Sequence, residues 1–411
     1  MPAIRDVQTL YRSGLAAQRR RKARARWIAH EAARGALPAD RFEAVLYFAD
    51  SEVNLYQLRQ WYEPMRHLAE QHPVAVVARN VVTADLLSAE CPLPVVHKQT
   101  VAEIEEWLGT QRVSIVFYVN QNTRNFQMMR FRDPAHVFIS HGESDKDYMA
   151  SNQLKAYDYT FVAGDAAVER ISKRLIDFDA EKRLVKIGRP QVDVDYYGPT
   201  LPDDGRTVIL YAPTWEGDRP SMTYSSLGSH AGPMLDALIA TGTHRIVYRP
   251  HPRTGAYDPA YKVLHQAIVR KLDTANAADP AAHHMVDTET AFGWHLKAAD
   301  ACVCDISAVA FDWLATGKPL LLTEPASPEA EVDRSGLVGM IETFRASDAA
   351  NVVELIRSRP AAMGGWTYDA IVKHYFGASS PGGAIAAFTA AATRVISRRH
   401  TSMPAIQSPG D

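Results

Sequence analysis

The 411-residue chain carries 45 Lys and Arg against 47 Asp and Glu, for a formal net charge of −2, with 46% hydrophobic and 22% charged residues. This balance excludes a disordered polyelectrolyte and a protein held to nucleic acid by overall charge, so any anion site has to be local. The length suits two domains of roughly 200 residues, each able to bury its own core.

The N-terminal segment, 1–40, reads as a basic amphipathic helix. Arg19, Arg20, Arg21, Lys22, Arg24 and Arg26 place six cations in eight residues, with Leu10, Tyr11 and Leu15 before them and Trp27 and Ile28 after. A basic face on anionic lipid, with Trp27 dipping into the interface, is the functional reading. A solvated helix, or one packed on the protein, is the plain alternative. No segment reaches the roughly 20 apolar residues that span a bilayer. No apolar N-terminal stretch resembles a signal peptide. Cys91, Cys302 and Cys304 are too few for a disulfide framework, and Cys302 and Cys304 have strand spacing, so they read as buried thiols of a reduced compartment. The expected location is therefore the cytoplasm, peripheral on the inner membrane face.

From residue 41 short apolar runs alternate with helical patterns. Strands are expected at 42–48, 74–78, 113–118, 136–140, 159–163 and 184–187, with helices at 53–71 (kinked at Pro64), 100–108 and 123–130. This makes 41–195 a first α/β domain with a doubly wound parallel sheet. Residues 196–206, dense in Pro, Gly and Asp, read as a linker. The alternation resumes over 207–380, with strands at 207–212, 245–249, 284–286, 301–304 and 319–322 and helices at 234–240, 257–271, 288–299, 309–315 and 349–357. A Gly/Ser-rich loop fills 215–232, long enough to be functional. An Ala-rich C-terminal helix at 381–400 and a disordered tail at 401–411 complete the chain.

Ligands of doubly wound sheets bind beyond the carboxyl ends of the strands, so two facing domains form a cleft there. Four strand ends carry chemistry. His141-Gly142 follows the strand at 136–140; an imidazole there can take a proton from a hydroxyl, with Glu143 or Asp145 orienting it and Lys146 meeting phosphate. Taken alone, the pair is better explained as a loop histidine of ordinary turn polarity. Arg249-Pro250-His251-Pro252 is a stiff turn presenting two cationic groups, suited to developing negative charge. Asp305 or Ser307 caps the next helix, whose start suits phosphate. Thr214 opens the long loop and is placed to touch donor phosphate or polyol. Asp193-Val194-Asp195 has the spacing of a metal pair but lies by the linker, so no metal site is expected. Walker, zinc-protease and nucleophile-elbow motifs are absent.

Taken in order, His141-Gly142 with Lys146, Gly188-Arg189-Pro190, Tyr211-Ala212-Pro213-Thr214-Trp215, Arg249-Pro250-His251-Pro252, and Asp305-Ile306-Ser307 with Phe311-Asp312 and Pro319 resemble the CDP-glycerol glycerophosphotransferase family. That family includes the poly(glycerol phosphate) polymerases of teichoic acid synthesis. The likeness spans roughly residues 110–325. It implies a GT-B arrangement of two Rossmann-like domains, a CDP-linked donor, CMP as product, and a peripheral membrane location. A lipid-linked polymer acceptor is the expected partner, and the missing metal motifs favour a metal-independent reaction without a cofactor. Glu216 stands where the family often has Arg, and Ser307-Ala308 where it often has paired hydroxyls. On this reading His141 is the base, His251 and Arg249 stabilise the phosphoryl charge, and Asp305, Ser307, Thr214 and Lys146 hold the donor. A nucleotide-sugar glycosyltransferase on the same fold is the rival enzyme. A non-catalytic protein of polymer assembly, capsule included, is the rival class.

Overall fold

The structure is a computed structural model describing residues 2–143, 145, 147–290, 293–358, 362–377 and 380–402. The first sheet comprises β1 (Ala44–Phe48), β2 (Val74–Ala78), β3 (Val95–His97), β4 (Ile115–Tyr118), β5 (Ala135–Phe138), β6 (Tyr159–Val162) and β7 (Leu184–Lys186). Its order is β3-β2-β1-β4-β5-β6-β7, parallel throughout. The second sheet comprises β8 (Thr207–Ala212), β9 (His244–Tyr248), β10 (Met285–Val286), β11 (Ala301–Cys304), β12 (Leu320–Thr323) and β13 (Thr343–Phe344). Its order is β10-β9-β8-β11-β12-β13, also parallel. The order reverses between β1 and β4 and between β8 and β11, and a doubly wound sheet opens its ligand crevice at such a point.

The strands are apolar along their length because both faces are covered. Ala44, Leu46 and Phe48 of β1 enter one core and Val45 and Tyr47 the other. Leu210 and Ile209 of β8 divide in the same way. Continuous hydrophobic runs are what a two-sided parallel sheet requires. Cys302 and Cys304 are buried free thiols on one face of β11. β3 and β13 lie outside the sequence expectations because runs of three and two residues carry no periodicity. The helix Val81–Glu90 also lies outside those expectations, because it buries residues on every side of its first turns and so shows no amphipathic stripe.

The helix expected at 53–71 is broken, and not at Pro64. Helices Leu55–Arg59 and Tyr62–Ala69 flank Gln60-Trp61. Pro64 lies in the first turn of the second helix, where its missing N–H forfeits no bond. Trp61 leaves the helical path to pack on Phe388 and to donate its indole N–H to the Ser140 carbonyl.

Both chain ends return to the first sheet. The last helix, Gly383–Ser402, buries Phe388 against Trp61, Phe117 and Phe161. Asp193 caps it by accepting from the N–H groups of Gly382, Ala384 and Ile385, and Asp195 pairs with Lys297. The expected tail at 401–411 therefore begins inside this helix, and 403–411 lie outside the described residues. The linker is held tightly as well. Gly293, at φ 132°, has the Tyr196 ring 2.3 Å from where a Cβ would stand.

The N-terminal helix, Pro2–Arg34, docks on the helix Val81–Glu90. Trp27 is only 3% exposed, against the expectation that it meets a membrane. Ala23 and Trp27 are one helical repeat apart and form the stripe that enters the first core, where Trp27 meets His97 edge-on. Arg26 pairs with Asp85 and Arg19 with Glu52, so these two cations are tied to the domain. Arg20, Arg21, Lys22 and Arg24 are exposed and form no ion pair among the described residues.

Replacing Phe388 by Ala should cost about 3–5 kcal/mol of stability, since a fully buried ring between three aromatics leaves a cavity. Denaturant titration checks this. A loss below ~1 kcal/mol would mean that the last helix contributes little to the first core.

Candidate active site between the two sheets

β5 ends at Phe138, and Ser140 then takes a left-handed conformation (φ 55°) that turns His141 toward the crevice. The imidazole lies edge-on to Tyr56 at 5.9 Å, and its Nδ1–H donates to the Val119 carbonyl at 3.2 Å. A carbonyl only accepts, so this bond fixes the tautomer and makes Nε2 the basic nitrogen. The ring borders a cavity of about 300 Å³ with Tyr56, Gln57, Asn120 and Met149.

Glu143 and Asp145 do not orient the ring, contrary to expectation. Both carboxylates turn to Arg170, and Asp145 also accepts from the Leu337 N–H and the Tyr375 hydroxyl. Arg170, its side chain 9% exposed, draws both to it; burial pushes the Glu143 carboxyl up, against the pull of Arg170. Lys146 lies outside the described residues.

On the second sheet, Asp305 follows β11 and is wholly buried. Its carboxylate accepts from the N–H groups of Thr214 (2.7 Å) and Ser226 (3.1 Å) and from the Thr323 hydroxyl (2.7 Å). Expected as a phosphate ligand, it is instead the tie that shapes the Thr214 turn and pins the long loop at Ser226. A carboxylate enclosed by three donors has no face left for an anion. Ser307 stands at the cap position of the helix Ala308–Leu314 but makes no cap bond, and its buried hydroxyl has no partner among the described residues. Gly142 faces this helix start; a Cβ built on it would stand 3.7 Å from Ala308 Cβ. The two loops thus meet across the crevice.

Arg249 is also committed inward. Its Nη1 reaches Asp287 and the Thr290 carbonyl, both at 2.7 Å, and Asp287 is bonded in turn to His295. Burial raises the Asp287 carboxyl, but His295, the Thr290 N–H and Arg249 outweigh it and hold the group below the usual range. His251 stacks parallel to Trp215 at 6.4 Å, and Arg253 covers the same indole at 3.8 Å. Arg253 was not singled out in the sequence; a cation two residues beyond His251 in a stiff turn is the signal that marks it. Glu216 accepts from the N–H groups of Gly255, Tyr257 and Asp258 and so sets the path of that turn. Burial raises the Glu216 carboxyl, and these N–H groups bring it net below its ordinary value.

One cation joins the halves. Arg189, 5% exposed, donates from Nε to Asp312 at 2.7 Å, and from Nη2 to Gln60 at 2.8 Å and to the His141 carbonyl at 3.3 Å. Asp312 belongs to the helix that Ser307 begins. The same guanidinium therefore grips the His141 loop and that helix.

Burial pushes Asp305 up to about 6, opposed by its bonds from Ser226, Thr323 and Thr214. The unfolded value is about 3.9, so between these limits the folded state holds the extra proton. The associated stability is fully present below pH ~4 and is lost as pH rises through about 6. Relative to Asp305→Asn, the unmodified protein should lose on the order of 2–3 kcal/mol between pH 4 and 7, read by denaturant titration at both. A pH-independent difference would contradict this.

A variant of the wall teichoic acid polymerase TagF, soaked with CDPG, matches with a TM-score of 0.55 at 13% identity, covering 94% of this chain and 96% of that one. The MnaA–UDP complex of S. aureus matches at 0.53 and 12% identity, covering 90% and 99%. These likenesses show the fold, two Rossmann-like domains in the GT-B arrangement. No curated protein matches in sequence. The family model for CDP-glycerol:poly(glycerophosphate) glycerophosphotransferase matches residues 96–327, which include the ends of β5, β8, β9 and β11. With more than half its length matched, the chain belongs to the CDP-glycerol:poly(glycerophosphate) glycerophosphotransferase family and is a transferase of that type.

Proposed function

We propose that the protein moves glycerol phosphate, or a related polyol phosphate, from a CDP-activated donor to a terminal hydroxyl of a teichoic-acid-like or capsule polymer, releasing CMP. The observation that carries this is the meeting of the His141-Gly142 loop with the start of the Ser307 helix, with the basic nitrogen of His141 set by the Val119 carbonyl. The acceptor hydroxyl gives its proton to His141 Nε2 as its oxygen bonds to the donor's β-phosphorus. The bond from that phosphorus to the bridging oxygen breaks, and CMP leaves with the electron pair. His251 and Arg253, ranged on Trp215, supply positive charge on the donor side, and Ser307 and Thr214 supply hydroxyls for the phosphoryl oxygens. Asp305, Asp287 and Glu216 hold these groups in place, with Arg249 anchored by Asp287. Catalysis of this kind rests on positioning and electrostatic stabilisation.

His141 is packed among first-domain groups and His251 on Trp215 of the second, so the donor diphosphate is the bridge between them. No helix among the described residues is long and apolar enough to cross a membrane. The exposed Arg21, Lys22 and Arg24 support a peripheral place on an anionic membrane face, without Trp27.

His141→Ala and His251→Ala should each lower turnover by roughly 10²-fold or more, with smaller effects on the KM for donor. The assay is CMP release from CDP-glycerol with a lipid-linked glycerol-phosphate primer. Near-normal turnover in both variants removes them from the chemistry, and release of UDP or GDP from a nucleotide sugar replaces this reading with a glycosyl transfer.

A further inference from the structure

A second cavity, of about 340 Å³, opens elsewhere on the first sheet and is bordered by Arg20, Arg79 and Arg124, with Asn80, Gln99 and Gln127. It is built at the carboxyl ends of the strands. Arg79 and Asn80 directly follow β2, Gln99 follows β3, and Arg124 lies beyond β4; Arg20 comes from the docked N-terminal helix. None of these groups takes part in the chemistry proposed above.

The charge here is unbalanced. Arg79 is 8% exposed, yet its guanidinium bonds only neutral oxygens: the Gln99 carbonyl (2.9 and 2.7 Å), the Tyr47 hydroxyl (2.9 Å) and Gln127 Oε1 (3.0 Å). Among the described residues no carboxylate pairs with Arg79, Arg20 or Arg124. A buried cation is costly unless an anion compensates it. The chain as a whole has no excess of cations, so three unpaired arginines around one hollow are a local feature. Arg79 is also pre-set, because its four bonds fix the plane of the guanidinium. Four of its five N–H donors are used in this way, so Arg79 offers its charge and one N–H, and the two rim cations supply the further donors that phosphate-ester oxygens need.

The strand order gives the distance. β2 and β5 are separated by β1 and β4, three strand spacings or about 14 Å at ~4.8 Å each. A phosphate held at the Arg79 end of this cavity is therefore not the one that reacts at His141. The segment 120–125 spans the gap: Asn120 borders the His141 cavity and Arg124 the arginine cavity. An extended chain of phosphodiesters could run along it.

We infer that the Arg20–Arg79–Arg124 cavity binds an internal phosphodiester of the polymer acceptor, so that an acceptor long enough to reach it is held with its terminal hydroxyl at His141. The assignment of the ligand to the acceptor rests on the transferase reading; anion binding at the cavity does not. The test uses the full chain and Arg20→Gln/Arg124→Gln, two exposed positions whose replacement leaves the cores intact. With CDP-glycerol as donor, the double variant should raise the KM for long glycerol-phosphate oligomers about tenfold or more, the effect of losing charged hydrogen bonds. The KM for single-unit acceptors and for donor should show no such rise. A long-oligomer KM within about twofold of the unmodified protein overturns the inference. If the unmodified protein releases no CMP, the transferase reading fails; calorimetric titration with the same oligomers still reads the cavity, and equal binding by both proteins overturns it. Vesicles of phosphatidylglycerol form the third arm. Loss of vesicle binding with unchanged oligomer binding makes the cavity a lipid-headgroup site and overturns the acceptor assignment.

Discussion

Arg189 holds the two halves of this molecule in working relation. Its guanidinium is buried between Asp312 of one domain and Gln60 and the His141 carbonyl of the other. Burial pushes Asp312 up, and Arg189 opposes that shift. A buried pair of this kind adds little net stability against a hydrophobic substitute, but removing one partner leaves an uncompensated charge. Its value here is geometric. The imidazole that faces the crevice and the helix that Ser307 begins are referred to a single side chain, so neither loop can shift independently of the other.

The acidic residues around the crevice serve the same end. Asp305 gathers Thr214, Ser226 and Thr323; Glu216 gathers the N–H groups of 255–258; Asp287 fixes Arg249; and Asp145 joins Arg170, Leu337 and Tyr375. Each carboxylate is consumed by donors within the protein. The groups named at the crevice that remain are hydroxyls and cations, and these carboxylates are turned away to their donors. Such an arrangement favours an anionic substrate without requiring a high overall charge.

The N-terminal helix divides its cations by depth. Trp27 and Ala23 fasten it to the first core, Arg19 and Arg26 are paired, and Arg20 is delivered to the arginine cavity. Arg21, Lys22 and Arg24 remain outward. A run that reads as one basic patch along the chain thus has several separate surroundings once the helix is wrapped on a domain, because successive residues on a helix point about 100° apart.

Taken alone, the sequence determined the class of fold and the addresses of the chemistry. Unbroken apolar runs such as 74–78, 207–212 and 301–304 specify buried parallel strands, so 141, 214, 249 and 307 were legible as positions that follow strand ends, where doubly wound sheets place ligands. The partners of those residues were decided only by the tertiary structure. Asp305 and Arg249 look like anion ligands along the chain, yet one is enclosed by donors from 214, 226 and 323 and the other is held by Asp287. Trp27 looks interfacial until Val81–Glu90 covers it, and the arginines of the second cavity lie 59 and 45 residues apart in sequence. Periodicity is a property of neighbouring residues and survives in a linear reading. The state of a charge depends on whatever the fold brings within a few ångströms, and those groups come from distant parts of the chain.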